Sequence, residues 1–281
     1  MQTVQDAPAL RAVIRNWRAQ GQTVGLVPTM GNLHAGHHSL LKLAKARADR
    51  VVASVFVNPT QFGPNEDFER YPRTLAQDQA GLAEAGCDLL FAPEVATMYP
   101  FGAQHSVSVH VPQITETLDG AHRPGHFDGV ATVVSKLFNL VQPDIAVFGQ
   151  KDFQQLKVIE RMVRDLSLPV KVMAAPTWRA DDGLAMSSRN QYLSVAERAL
   201  APQIHATLLQ MRELVAKGHA WRVVEQAAVS KLERAGFVPD YAVVRRAEDL
   251  SEPADGEREG LVALVAARLG STRLIDNLLF D

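Results

Sequence analysis

Five short apolar runs, Thr23–Val27, Val51–Val57, Asp88–Ala92, Asp144–Phe148 and Val170–Ala174, alternate with stretches of helical spacing up to about Pro176. That alternation constrains the fold more than any other feature. Val51–Val57 is apolar throughout except for Ser54, the pattern of a strand buried on both faces inside a parallel sheet. Ser39–Ala48, Leu75–Ala85, Gly129–Leu140 and Phe153–Leu166 gather apolar residues on one helical side, and Leu10, Val13, Ile14 and Trp17 do so in an opening helix. Strand–helix–strand units at this spacing have right-handed crossovers and build an open, doubly wound α/β sheet. Such a sheet binds ligands at the carboxyl ends of its strands. Pro28–His38, Asn58–Tyr71, Gly149–Gln155 and Pro176–Asn190 are therefore the loops to watch before any motif is read.

After Pro176 the texture changes. Ala196–Lys217 and Ala220–Arg234 read as two long surface helices with Gly218 as a stop between them. Tyr241–Val244, Val262–Ala267 and Leu274–Ile275 read as strands of a second layer, with Ser251–Gly260 a polar turn. The expected division is a Rossmann-like domain over residues 1–176 and a smaller α+β domain over residues 177–281.

Composition removes several function classes. Lys plus Arg is 29 and Asp plus Glu 31, a formal charge of −2, which does not suit a protein that blankets a nucleic-acid backbone. Hydrophobic residues are 47% and charged residues 21%, so the chain lacks the signature of disorder. Cys87 is the single cysteine, which rules out an intrachain disulfide and a cysteine metal cluster. Met1–Trp17 has neither the basic nor the apolar region of a signal peptide, and the apolar runs are far shorter than a bilayer span. A soluble, reducing compartment is expected, most simply a cytoplasm.

The richest segment is Val27-Pro28-Thr29-Met30-Gly31-Asn32-Leu33-His34-Ala35-Gly36-His37-His38-Ser39, between a predicted strand and a helix. Gly31 and Gly36 allow backbone to approach a ligand, and a helix start suits phosphate. Gly31-x4-Gly36 has P-loop spacing, but His37-His38 stands where Lys-Ser/Thr belongs. A zinc helix needs His-Glu-x-x-His, and no Glu is present here. The third reading is His-x-Gly-His, two neutral imidazoles that donate to ATP phosphates and stabilise charge on a pentacoordinate α-phosphorus. The plain reading is that the histidines cap a helix.

Downstream, Leu184-Ala185-Met186-Ser187-Ser188-Arg189-Asn190 puts two hydroxyls and a guanidinium in one loop, donors that match phosphate oxygens. Paired with His-x-Gly-His, it resembles the HIGH and KMSKS signatures of the nucleotidylyltransferase superfamily, with Ser-Ser-Arg in place of the lysine-bearing loop. Phe148-Gly149-Gln150-Lys151-Asp152-Phe153-Gln154-Gln155 follows another strand. Lys151 suits phosphate, Asp152 suits orienting it or holding Mg, and Gln155 is an uncharged bidentate group fit for a hydroxy acid; the plain reading is a helix start with Asp152 as cap. Asn58 and Gln61 sit at a further strand end, where Asn58-Pro59 also reads as a simple turn. His122-Arg123-Pro124-Gly125-His126 reads equally as a mobile phosphate-facing loop or a capped surface loop. Ser39-Leu40-Leu41-Lys42 matches Ser-x-x-Lys, but the companion Ser-Asp-Asn and Lys-Thr-Gly sequences do not occur.

Pro28-Thr29-Met30-Gly31, Phe56-Val57-Asn58-Pro59-x-Gln61-Phe62, Tyr71-Pro72-Arg73-Thr74, Arg123-Pro124-Gly125-His126-Phe127, Lys136-Leu137-Phe138-Asn139, Lys151-Asp152-Phe153-Gln154-Gln155, Met186-Ser187-Ser188-Arg189-Asn190 and Leu274-Ile275-Asp276-Asn277 occur in that order. Together they resemble the pantothenate synthetase (pantoate–β-alanine ligase) family over nearly the full length. The resemblance implies a Rossmann-type domain for ATP and pantoate, a C-terminal lid, and a homodimer. It implies two steps: ATP and (R)-pantoate give pantoyl adenylate and pyrophosphate with Mg, and β-alanine then gives pantothenate and AMP. Carried over, Met30, Gly31, Asn32, Leu33, His34, Ala35, Gly36 and His37 form the ATP loop, with His37 the catalytic donor beside His34. Gly149, Gln150, Lys151, Asp152, Met186, Ser187, Ser188, Arg189 and the backbone near Trp178 contact ATP, Lys151 and Arg189 assisting catalysis. Gln61, Gln155 and Asn58 serve the pantoate and β-alanine sites, and Asp78 a water-mediated Mg contact. Gln150 and Trp178 depart from the pattern, where Glu and a smaller residue are expected. Two alternatives stand beside this reading: another adenylyltransferase of the superfamily, and a nucleotide-binding module without turnover.

Overall fold

The computed structural model describes residues 1–64 and 66–280. It forms two compact units, one of residues 1–150 and 158–176, the other of residues 151–157 and 177–281.

The elements up to residue 176 are β1 (Gln2–Val4), α1 (Ala7–Ala19), β2 (Val24–Thr29), α2 (Ala35–Lys45), β3 (Arg50–Val55), α3 (Leu75–Glu84), β4 (Leu89–Phe91), α4 (Val95–Met98), α5 (Asp119–His122), α6 (His126–Val141), β5 (Ile145–Gly149), α7 (Phe153–Asp165) and β6 (Lys171–Ala175). The strands form one parallel sheet in the order β1-β4-β3-β2-β5-β6, the Rossmann-like architecture expected. Sequence periodicity missed β1, a three-residue edge strand with no apolar run of its own.

Apolar spacing explains the packing. Leu40, Leu41 and Ala44 of α2 share a core with Val27, Val51, Ala53, Ile145 and Val147 from the sheet. Fully burying each Leu, Ile or Val side chain contributes about 1.5–3 kcal/mol. Helix α6 is buried almost all round, the habit of a helix that lies inside rather than on a surface, and it packs against α1 and β2. At the amino ends of the strands, carboxylates tie the sheet together. Asp88 Oδ2 accepts from Val51 N at 2.8 Å and from Lys45 Nζ at 2.8 Å, and Asp144 Oδ2 accepts from Val24 N at 2.6 Å. Burial pushes the Cys87 thiol up to about 11, so this buried residue is no nucleophile.

The second unit contains α8 (Val195–Leu200), α9 (Gln203–Ala216), α10 (Trp221–Arg234), β7 (Val238–Arg246), β8 (Leu261–Leu269) and β9 (Thr272–Leu279). The strands form an antiparallel sheet β7-β8-β9. Ile204, Leu208, Trp221, Val224, Val265 and Leu274 share its core. The single helix expected over Ala196–Lys217 is two, broken at Ala201–Pro202. Pro202 has no N–H for the helical ladder, and its ring crowds the carbonyl one turn earlier. The strands run longer than their apolar centres predicted because polar flanks are paired across them: Arg273 Nε donates to Asp240 Oδ2 at 2.6 Å.

Candidate active site

In the first unit the chain leaves β2 outward through β3 and β4, then returns to β5 on the other side of β2. This reversal opens a crevice at the carboxyl ends of β2 and β5. The loop after β2 is Met30–His34, and Gly149 ends β5.

That loop is held by one carboxylate. Asp78, buried on α3, accepts from Asn32 N at 3.0 Å and Leu33 N at 2.8 Å, and takes a third bond from Thr74 Oγ1 at 3.1 Å. Gly31 has φ +85°, and a Cβ there would sit 3.0 Å from Asp78 Oδ2, so the close approach requires glycine. Both Asp78 oxygens are committed to the loop. Among the described residues no three or more His, Cys, Asp or Glu cluster to hold a metal. The geometry makes Asp78 an anchor for the Met30–His34 loop. Asp78→Asn turns an NH2 donor toward a backbone N–H and is expected to cost about 1–3 kcal/mol. Thermal melting and an ATP titration check this: a lower Tm and weaker ATP binding are expected, and an unchanged pair of values would remove the anchor.

Helix α2 starts at Ala35, one turn earlier than its apolar spacing suggests, and His34 is its N-cap. His34 Nδ1 accepts from Gly36 N at 3.2 Å, His37 Nδ1 accepts from His34 N at 3.3 Å, and the ring centroids lie 4.1 Å apart. A ring whose Nδ1 accepts carries its neutral-state proton on Nε2. Capping and phosphate donation are therefore not rivals: the cap sets the tautomer that makes each Nε2–H a donor.

Gln61 lies in the turn Pro59–Gln61 beyond β3 and is buried. Asn58 Nδ2 donates to Gln61 Oε1 at 3.0 Å and to Gly129 O at 3.1 Å, and Asn58 Oδ1 accepts from Tyr99 OH at 2.6 Å. Both Asn58 amide hydrogens are thus spent inside the protein. Asn58 thereby orients the Gln61 side chain.

The second unit carries its own share. Trp178 O accepts from Met186 N at 2.9 Å and Leu184 O accepts from Ala180 N at 2.9 Å, closing a hairpin that presents Met186-Ser187-Ser188-Arg189. Trp178 is an exposed residue, and its carbonyl is what closes the hairpin. Ser187 Oγ accepts from Arg189 N at 3.2 Å, and Asn190 Nδ2 donates to Ala185 O at 3.0 Å. Lys151 Nζ lies 3.9 Å from Asp152 Oδ1, and Gln155 is half-buried in the first turn of α7. The expected residues therefore divide: Met30–His37, Asn58, Gln61, Asp78, Gly149 and Gln150 in the first unit, Lys151, Asp152, Gln155, Trp178 and Met186–Arg189 in the second.

Comparison with known families matches the pantoate-beta-alanine ligase model over residues 2–279. The chain belongs to the pantoate–β-alanine ligase family. It is 59% identical over 280 residues to the pantothenate synthetase of Xanthomonas oryzae pv. oryzae (strain PXO99A), covering 100% of both chains. Among solved structures it is similar to the pantothenate synthetase of Thermus thermophilus, with TM-score 0.92, 49% identity and 99% of each chain covered. It is also similar to the pantoate-beta-alanine ligase of Francisella tularensis, solved in complex with Beta-gamma ATP and β-alanine, with TM-score 0.83, 33% identity, 99% of this chain and 97% of that one.

In this member of the pantoate–β-alanine ligase family, the His122–His126 segment does not carry a free phosphate-binding arginine. Arg123 is forked on Glu66, with Nε to Oε1 at 2.6 Å and Nη2 to Oε2 at 2.7 Å. Arg123 Nη1 also donates to His126 Nε2 at 2.9 Å, and His126 Nδ1–H donates to Gln61 O at 2.7 Å. The result is a chain of bonds behind Gln61. Its members lie far apart in sequence, so composition showed only an Arg and two His near a turn. Burial, then the charge of Arg123, push His126 down to about 4. Burial raises Glu66, but Arg123's bonds and charge outweigh it and hold the carboxyl below its usual range.

The sign of the pH effect follows. His126 has a lower pKa folded than unfolded, so its contribution is present above the unfolded value near 6.5 and is lost as pH falls toward 4. Denaturant melts at several pH values are expected to show stability falling across that window, with a shallower slope for His126→Asn. An identical slope in the variant would contradict a neutral His126.

Proposed function

We propose that the protein condenses (R)-pantoate with β-alanine in an ATP-dependent reaction to give pantothenate, AMP and pyrophosphate. The observation that carries this is the family match over residues 2–279. The reciprocal cap of His34 and His37 at the carboxyl end of β2 supports the chemistry. A carboxylate oxygen of pantoate attacks the α-phosphorus of ATP, the new O–P bond forms, and pyrophosphate leaves. Nε2–H of His37, beside that of His34, donates to the charge that builds on phosphate oxygens. Lys151 and Arg189 supply cationic donors to the triphosphate, and Met30–His37, Gly149, Gln150, Asp152, Trp178 and Met186–Ser188 complete its binding. Gln61 and Gln155 hold the hydroxy acid without adding charge. The β-alanine amine, arriving deprotonated, then attacks the acyl carbon; the C–O bond to AMP breaks and the amine loses a proton.

Mg would accompany the ATP triphosphate and offset its charge, as suits an ion that dehydrates reluctantly and is bound mainly through substrate phosphates. A cytoplasmic homodimer is the assembly the family resemblance suggests. Among the described residues no helix is long and apolar enough to cross a membrane.

A superfamily member that adenylylates a phosphorylated acceptor would keep AMP in its product, and it would need cationic groups where Gln61 and Gln155 stand. Product analysis separates the two. With ATP, Mg, (R)-pantoate and β-alanine, pantothenate and free AMP are expected in equal amounts by mass spectrometry. Pyrophosphate without AMP in the presence of both substrates would sink the ligase reading, and ATP binding without turnover would leave only a nucleotide-binding module.

A further inference from the structure

The motif Leu274-Ile275-Asp276-Asn277 has no part in the chemistry above, yet its last two residues are polar and buried, Asp276 at 5% and Asn277 at 3% exposure. Both lie on β9 in the second unit. Arg179 is forked on Asp276, with Nη1 to Oδ2 at 2.6 Å and Nη2 to Oδ1 at 2.9 Å. Arg179 also donates to Gly183 O at 3.1 Å and to Asn277 O at 3.2 Å. Asp276 Oδ1 accepts from Asn277 N at 2.8 Å, and Asn277 Nδ2 donates to Lys151 O at 2.8 Å. Arg179 stands in the Trp178–Met186 hairpin, facing Ala185 across its bridge.

One buried pair on β9 therefore grips the base of the Met186–Arg189 loop and, through Asn277, the backbone of Lys151. A buried ion pair is a weak source of net stability, and its best-attested use is to fix register. Asn277 already has its place in the sheet through its pairing with Leu264; its side-chain amide adds the tie to Lys151. We infer that Asn277, clamped by Asp276 and Arg179, is a positioning residue that sets Lys151 against the Met186–Arg189 loop so that the two phosphate-binding segments move as one body. This rests on the reading of Lys151 and Arg189 as ATP contacts.

The test is Asn277→Leu, which keeps the branched shape and number of heavy atoms and removes the donor, with Asn277→Ala as a second variant that removes it without overpacking. Hydrogen–deuterium exchange of residues 151–157 is expected to speed up in the full-length protein while exchange in the first unit stays as it was. Losing one well-placed hydrogen bond corresponds to a rise in the KM for ATP of about tenfold, with the KM for β-alanine unchanged. Unchanged exchange in residues 151–157 would overturn the inference. So would a variant whose kcat falls only with its folded fraction while KM for ATP stays put. Wild-type pyrophosphate release separately tests the functional reading: if it were absent, that reading would fall and the exchange experiment would still decide whether Asn277 positions Lys151.

Discussion

His37→Ala is expected to fold and to release pyrophosphate from ATP and pantoate about 10²–10³-fold more slowly, the scale for removing one transition-state donor. Two losses must be separated. The variant gives up the Nε2–H and also the acceptor that caps His34 N. Loss of a cap costs about 0.5–2 kcal/mol, well inside the roughly 5–15 kcal/mol that a folded domain holds, so the chain survives. His37→Asn offers an amide oxygen near the cap without an imidazole donor. It is expected to recover stability and leave the rate low. Single-turnover pyrophosphate release without β-alanine is the right measurement, because it isolates the first step. Near-normal release by His37→Ala would remove His37 from the chemistry.

Gly129→Ala is the second large effect. An added Cβ on α6 would overlap the Thr60 carbonyl and lie 2.7 Å from Gln61 N. Neither obstacle is a flexible side chain. One backbone must move, at a cost near the top of the overpacking range, about 3 kcal/mol. The displaced turn carries Gln61, and Asn58 Nδ2, which orients Gln61, is itself bonded to Gly129 O. Displacement of a positioning group by about 1 Å can cost about 10²-fold in rate. The expected result is a lower denaturation midpoint together with a raised KM for pantoate, while KM for ATP changes little. A variant as stable as the parent with normal pantoate kinetics would show that α6 and the Gln61 turn are not in the contact described.

What was legible in the sequence follows from the range of each interaction. Val51–Val57 and Asp144–Phe148 announced buried parallel strands because burial on two faces leaves a continuous apolar run. The site loops were legible because ligand position in a doubly wound sheet follows from strand direction. The helix start at Ala35 was legible in the plain reading of the histidines as caps but not in the apolar spacing, which begins at Ser39, because the first turn after His34 carries no apolar stripe. The break at Pro202 was legible in principle: a proline inside a helical pattern outranks apolar spacing. The anchoring role of Asp78 was not legible, because its partners are backbone N–H groups 45 and 46 residues away. Arg123 behind Gln61 and Asn277 behind Lys151 were hidden for the same reason. The signal for the second was present in a polar pair, Asp276-Asn277, interrupting the apolar run Leu274–Phe280, where an unpartnered polar group would be costly.

The most direct measurement follows the carboxylate oxygen. With pantoate labelled with heavy oxygen in its carboxylate, the adenylate route transfers one labelled oxygen to phosphorus and releases it in AMP when the β-alanine amine attacks the acyl carbon. Mass spectrometry of the AMP formed in a turnover with β-alanine is expected to show one labelled oxygen per AMP and none in pyrophosphate. Unlabelled AMP, or ADP with labelled phosphate, would contradict activation at the α-phosphorus and with it the role given to the His34–His37 pair.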